Sequence, residues 1–447
     1  MQAITSFREL LTWLDARGEL AHVKRAVDPT HELIAVMRKM QKGPNDALLF
    51  EHVKGSAARV ASNVFGRRGT LAASLGLEAA TLVADLVARE GRKLPLDEIT
   101  AAPCQEVVHT RDIDIAKLIP QVVHSERDAG AYVTAGIFLA RHPDTGVHNA
   151  SFNRAQIVGG DKLRARMMPP QHLGQYQAAA ERRNAGLPTA VIVGAPPSVM
   201  LSAASKIPFE ADELEVAGAW QNQALRVVKA RTQPLLVPAD AEFVIEGEVL
   251  AHVREEEGPF GEFTDGYVEV GRNHVFRVTA VTHRRDPIWH VILAGGKEDL
   301  TLLGVPLATE VHKRVSGLAK IVDIGTPGQI LGCVVGIEKT SDAQAQSVLK
   351  AALAAHPWMK IVVVVDADVD VHDPEEVLWA IHTRATPDTG LVHLPNVGSF
   401  QRDDVAAVHK GKLGIDATVP MAMRGVFARR RFPGIEQLKL EDYVGRR

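Results

Sequence analysis

Between about residue 130 and residue 295 the chain becomes a run of short apolar segments broken by Gly, Pro, Asn and Asp. A stretch of this kind can bury itself only as an antiparallel sheet or barrel, because the turn residues leave no room for long helices. The pattern predicts strands over 131–141 and 147–157, joined by a turn at Pro143-Asp144-Thr145-Gly146, with a further turn at Gly159-Gly160. Residues 235–237, 242–250, 275–283 and 288–293 return to strand. One helix, predicted over 171–184, interrupts the series and is closed by Gly186 and Pro188.

The flanks read differently. Ser6 and Glu9 form a capping-box pair ahead of the stripe Leu10, Leu11, Leu14, with Gly18 as a stop. Strand-like 48–50 and 59–61 and a helical 70–92 complete an α+β unit over 1–105. The sheet-rich unit then occupies 106–298. Over 299–447 strands at 333–337 and 360–365 alternate with helices, one opened by Asp373-Pro374-Glu375-Glu376 with Asp as N-cap and Pro at the first helical position. The fold class is a multi-domain α+β and α/β protein.

Several functions are excluded at this level. With 51 basic against 54 acidic residues and a net charge of -3, there is no field to hold a nucleic-acid backbone. The longest strongly apolar runs are as short as 361–365, far below the ~20 residues that span a bilayer. The N-terminus carries no basic-then-apolar signal segment, and the two cysteines, Cys104 and Cys333, form neither a CxxC nor a zinc spacing. A reduced, cytoplasmic compartment is expected.

Four constellations carry chemistry. Glu257-Gly258-Pro259-Phe260-Gly261-Glu262 flanks a tight turn with two acids, which can aim both at one place and separate their proton affinities; read structurally, it is a solvated loop. His148-Asn149-Ala150-Ser151-Phe152-Asn153-Arg154 places polar groups and a cation in a strand-like segment, or else on a strand's wet face. Asn149 and Arg154 are five apart, so a regular strand points them to opposite faces, and a bulge, strand end or twist must intervene if they serve one site. Met168-Pro169-Pro170-Gln171-His172 opens a helix, where an anion is welcome and a capping role is the plainer alternative. Asp212-Glu213-Leu214-Glu215 by itself is an acidic helix start. Together Asn149, His172 and Glu213 offer an amide oxygen, an imidazole and a carboxylate, a set suited to manganese or magnesium. Asp366, Asp368 and Asp370 imitate a calcium loop, but Val371 and Val377 stand where Gly and Glu are required, so a strand end with a helix cap is expected. Gly295-Gly296-Lys297 lacks the rest of a phosphate-binding loop.

In chain order, Asn149–Arg154, Pro170-Gln171-His172, Asp212-Glu213, Glu257–Glu262 and Gly411-Lys412-Leu413-Gly414-Ile415-Asp416-Ala417-Thr418 resemble the UbiD decarboxylases over essentially the whole chain. The resemblance implies an N-terminal α+β unit, a central split β-barrel like that of flavin reductases, and a C-terminal α/β domain that assembles a homo-oligomer, dimer or hexamer. It implies prenylated FMN supplied by a flavin prenyltransferase, with Mn2+ or Mg2+ held by Asn149, His172 and Glu213, and a K+ ion. Ser151, Phe152, Asn153, Arg154, Gln171 and Lys412 join those ligands as cofactor contacts. Arg154, Glu257 and Glu262 become the catalytic network, with Glu262 as proton donor where many relatives carry Asp. The implied reaction is reversible, non-oxidative decarboxylation of a small aromatic, heteroaromatic or α,β-unsaturated carboxylic acid, in a pocket drawn from 292–303 and 392–397. Two other readings stand beside it: an FMN-dependent oxidoreductase on the same barrel, and a non-catalytic carboxylase subunit.

Overall fold

The computed structural model describes residues 2–398, 410–430, 432–435 and 437–444. The first helix, Phe7–Ala16, buries Phe7, Leu10, Leu11 and Leu14 and is capped by Ser6, whose hydroxyl accepts from the Glu9 N–H at 3.1 Å. Glu9 itself reaches Thr5 rather than the Ser6 amide, so the box is closed one residue early. The helix expected over 70–92 is two, Arg68–Ser74 and Leu82–Glu90, with a turn between them.

The central sheet has nine strands. It runs from Tyr132–Val133 and Ala155–Gly159 at one end to Ile137–Arg141 and His148–Phe152 at the other, through Lys162–Ala165, Gly271–His283, Phe243–Glu257 and Leu187–Val193, and the ninth strand, Val107–His109, pairs off this path with Gly271–His283. Every pairing in it is antiparallel. Its faces alternate as period two requires: Ile137 and Leu139 enter one apolar core, Phe138 and Ala140 the other. The two ends of the sheet are bridged twice by the chain, at 134–136 and at 153–154, and the crossings touch where the Asn153 N–H donates to the Gly136 carbonyl. The single strands expected over 131–141 and 147–157 are therefore each divided, because each must serve both ends of a half-barrel. The strand expected over 242–250 runs on to Glu257 through a break in register between Val249 and Arg254.

The segment expected as a last central strand belongs elsewhere. Ile288–Val291 lies parallel to Arg59–Ser62 and completes a four-stranded N-terminal sheet with Leu20–Val23 and Ala47–Phe50. Periodicity finds a strand but cannot say which sheet it joins.

The C-terminal sheet orders Lys320–Gly325, Gly332–Glu338, Ile361–Asp366, Lys412–Ala417 and Leu391–Leu394. Its middle strand is a continuous apolar run because both faces are covered. Val362 and Val364 pack with helices Lys297–Val315 and Ala343–Leu353, and Val363 and Val365 pack beside helix Pro374–Arg384. Asp373 caps that last helix, and Asp366 and Asp368 are paired with Arg384, so the acidic run is a strand end with a cap.

Candidate active site

Strand His148–Phe152 ends at Phe152 and the next begins at Ala155, so Arg154 lies in the crossing between the two ends of the barrel. Freed from strand alternation, it reaches the same region as the two acids of the turn. Its Nε and Nη2 donate to the Glu257 carboxylate at 3.0 and 3.1 Å, and its Nη1 pairs with Glu262. Glu257 ends the long strand Phe243–Glu257, and Gly258 turns the chain at φ +98°, where a side chain would crowd the Glu269 carbonyl.

The two acids differ in access. The Glu257 side chain is 0% exposed and also accepts from Asn273 Nδ2 at 2.8 Å, whereas Glu262 is 26% exposed. Burial works against the Arg154 charge, but the hydrogen bonds and charge of Glu257, then Glu262, outweigh it and raise its pKa. The guanidinium also lies over the Phe260 ring, 5.0 Å from its centre. Tyr132 packs at a tilt against Phe260, its phenol raised by burial and by neighbouring Glu257.

The second cluster forms around helix Glu213–Trp220. Asp212 caps it, accepting from the Leu214 N–H, and its other oxygen meets His148 Nδ1 at 2.6 Å. Glu213, which would be solvated at an ordinary acidic helix start, is buried. Asn149 Nδ2 donates to its Oε1 at 2.8 Å, and His172 Nδ1 lies 3.8 Å from the same oxygen. Asn149, His172 and Glu213 thus converge. The other Glu213 oxygen is buried without a partner, a vacancy in hydrogen bonding that suits a cation. Among the described residues no cluster of three His, Cys, Asp or Glu side chains forms a metal cage; the candidate set here needs the amide. Burial pushes the Glu213 carboxyl up, partly offset by His172 and Asn149.

Of the remaining candidates, Ser151 donates to Asn149 Oδ1 at 3.2 Å and Asn153 donates back to Ser151, so these three hold one another in place. Phe152 is half-buried against the first core. Gln171 is exposed at the N-cap of helix His172–Glu181. Lys412 is engaged inside the C-terminal domain, donating to the Leu353 and His356 carbonyls, and among the described residues it makes no hydrogen bond to the other candidates. Lys206 lines a cavity of about 310 Å³ with His172, Phe209, Glu310 and Lys313.

Sequence reading missed Lys206, Lys313, Asn273 and Tyr132. Asn273 lies on the partner strand of Glu257, a pairing visible only once the hairpin around 258–270 is recognised. Asp299, in the first turn of helix Lys297–Val315, is pushed up to about 7 by burial and, further, by Glu262 and Glu298, against the pull of the Gly295 N–H. Of the stretch 392–397 expected at the pocket, Val392 enters the C-terminal core and Val397 is exposed.

Comparison with known proteins bears on the whole chain. Models of the 3-octaprenyl-4-hydroxybenzoate carboxy-lyase N-terminal, Rift-related and C-terminal domains match residues 11–90, 97–297 and 301–417. The chain is 34% identical over 425 residues to an anhydromevalonate phosphate decarboxylase of Methanothermobacter thermautotrophicus, covering 93% of this chain and 98% of the relative. Among solved structures it resembles the UbiD-class enzyme HmfF of Pelotomaculum thermopropionicum at 35% identity, covering 98% of this chain and 100% of that one. The TM-score is 0.93 against its FMN complex and 0.90 against an evolved dimeric form with prenylated FMN. The vanillic acid decarboxylase of Sedimentibacter hydroxybenzoicus follows at 26% identity and TM-score 0.87, covering 98% of this chain and 97% of that one.

Proposed function

This chain belongs to the UbiD family of carboxy-lyases, and from that premise we propose that it catalyses reversible, non-oxidative decarboxylation of a small aromatic, heteroaromatic or α,β-unsaturated carboxylic acid. The observation that carries the reading is one guanidinium shared by two acids of unequal access, Arg154 between buried Glu257 and solvent-reachable Glu262.

The roles follow from the donor count. A guanidinium has five N–H groups. Glu257 takes two and Glu262 one, which leaves two for a substrate carboxylate in the planar, forked geometry that favours such binding. Glu257, gripped bidentately and by Asn273, serves as counter-ion and fixes the fork. Glu262, held by a single N–H and open to the cleft, is the acid able to deliver a proton to the carbon that loses carbon dioxide and to recover one from solvent.

Decarboxylation at an unsaturated carbon needs an electron sink that no side chain provides; prenylated flavin supplies it when bound. The residues fit such a group. Asn149, His172 and the unpartnered Glu213 oxygen would hold a divalent ion, manganese or magnesium. Lys206 lines the adjoining cavity and offers a cation to an anionic cofactor, whereas Lys313 beside it is already paired with Glu90 and Glu310. Ser151 and Asn153 would keep the Asn149 amide in place.

The test is co-expression with a flavin prenyltransferase, followed by a panel of unsaturated acids assayed for carbon dioxide release without reductant. Release from at least one acid is expected. Activity appearing only with a nicotinamide reductant would replace this reading by an oxidoreductase.

A further inference from the structure

Proton delivery requires Glu262 to stand beside Arg154, yet Glu262 lies outside the long strands of the barrel. It follows Phe260–Gly261, one half of a two-stranded ribbon whose other half is Tyr267–Val268. A ribbon of that size is at best marginal by itself in water, so its position must be set from outside. Segment 124–132 does this, engaging three consecutive residues of the turn. The Ala129 N–H donates to the Pro259 carbonyl at 3.0 Å. The Phe260 ring takes Tyr132 at a tilt, centres 4.4 Å apart, and His124 edge-on at 6.1 Å. The Gly261 N–H donates to Asp128 Oδ1 at 2.9 Å, and a β-carbon on Gly261 would lie 3.1 Å from Ser125 Oγ.

Asp128 is half-buried, and its second oxygen accepts from the Ser125 N–H at 2.8 Å. Both oxygens therefore hold backbone amides, and a charged acceptor makes such bonds stronger than a neutral one. The segment is itself anchored. The Val123 N–H donates to the Pro29 carbonyl and the His31 N–H to the Val123 carbonyl, which ties it to the N-terminal unit. Arg127 lies over the Tyr267 ring, 4.5 Å from its centre, and reaches Glu269 at 3.3 Å, on the other half of the ribbon. Past the turn, the Glu262 N–H donates to the Gly266 carbonyl at 2.8 Å. The Glu262 backbone is thus fixed on both sides, before it through Asp128 and after it through Gly266. Glu257 is fixed differently, by its strand pairing opposite Gly271. A disturbance at Asp128 reaches Glu262 and spares Glu257.

We propose that Asp128 is a positioning residue for the proton transfer: its grip on the Gly261 N–H sets where the Glu262 carboxyl stands relative to Arg154. This rests on the decarboxylase reading above. Asp128 acts through the backbone and not by contact with the reacting atoms. Its loss falls on the proton step and leaves in place the capture of the substrate carboxylate by Arg154, whose fork Glu257 holds.

Asp128→Asn keeps the volume but offers one acceptor oxygen to two N–H donors, and Asp128→Ala offers none. Both are assayed at matched flavin content, with an unsaturated acid from which the wild type releases carbon dioxide. The expected result is a fall in kcat of about 10–100-fold, the scale of a misplacement near 1 Å, with KM held within about threefold. Coupling to Glu262 gives a readout that general loosening would not. In a Glu262→Gln background, where that carboxyl no longer delivers a proton, either Asp128 change should lower kcat by less than a further threefold or so. Losses that multiply, a wild-type kcat in both variants, or an effect confined to KM would overturn the proposal. Failure of both variants to fold, followed by thermal unfolding, would overturn it too, since Asp128 would then serve the fold alone; if one folds, that one decides. A wild type that releases no carbon dioxide from any acid would sink the decarboxylase reading and this proposal with it, an outcome distinct from an active wild type with indifferent variants.

Discussion

Arg154 can grip two acids at once only because the chain leaves the strand between Phe152 and Ala155. The sequence posed this problem openly, since Asn149 and Arg154 fall on opposite faces of any regular strand. What it could not supply was the answer, which depends on the barrel's two ends being bridged at that point. The acids themselves were legible from their turn, and their unequal burial was not. Glu262→Gln preserves size and hydrogen bonding but removes the proton; kcat should fall by about 10²–10⁴-fold, measured on protein with matched flavin content. His172→Ala should lower bound manganese and flavin together, read by metal analysis and absorbance; unchanged occupancy of both would remove His172 from the ligand set. Asp299 offers a pH test of stability. Its folded pKa is raised to about 7, so between the ordinary carboxylate range and that value the folded chain binds the proton more tightly than the unfolded one. The associated stability is present at low pH and is lost as pH rises through about 7. Asp299→Asn should therefore raise the unfolding temperature at pH 8 and leave it nearly unchanged at pH 4, a difference on the order of 1–2 kcal/mol after allowance for solvent screening.

The helix that presents His172 is anchored at its other end. Glu181, its last residue, accepts from Gln177 Nε2, the His252 N–H and Arg254 Nη1, all within 2.9–3.0 Å. Burial alone would push this carboxyl up; the three donors overcome it and hold the pKa down to about 2. With a depressed folded pKa the contribution is present above the ordinary glutamate range and lost as pH falls toward 2. Glu181→Gln should cost about 1–3 kcal/mol at pH 7 and much less near pH 3, followed by denaturant unfolding at both values. The helix was readable from its pattern, within a few residues at its end. Its anchor was not, because His252 and Arg254 lie where the long strand breaks register and His252 takes φ +59°. A two-residue period gives no warning of such a bulge.

At the level of the molecule, side chains tie the modules to one another. Arg68 of the N-terminal unit pairs with Asp323 of the C-terminal sheet at 3.0 Å, both well shielded, while Lys313 reaches Glu90 and Phe263 stacks on Trp358. Arg68→Ala should lower thermal stability by about 1–2 kcal/mol, whereas Lys320→Ala, which removes the exposed pair with Glu338, should change it by less than about 0.5 kcal/mol. The order of modules was legible from changes of pattern along the chain. Which strand joined which sheet was not, since pairing across more than two hundred residues leaves no local mark.

That long-range pairing has a consequence for biosynthesis. Arg59–Ser62 waits for Ile288–Val291, so the ribosome must deliver roughly 290 residues, about 15–60 s of elongation, before the amino-terminal sheet can close. From its own synthesis until that point the waiting strand is an open edge, the kind that invites pairing with another nascent chain. A fragment stopped near residue 105 should accumulate as aggregate, and supplying the 288–291 segment in trans should restore solubility.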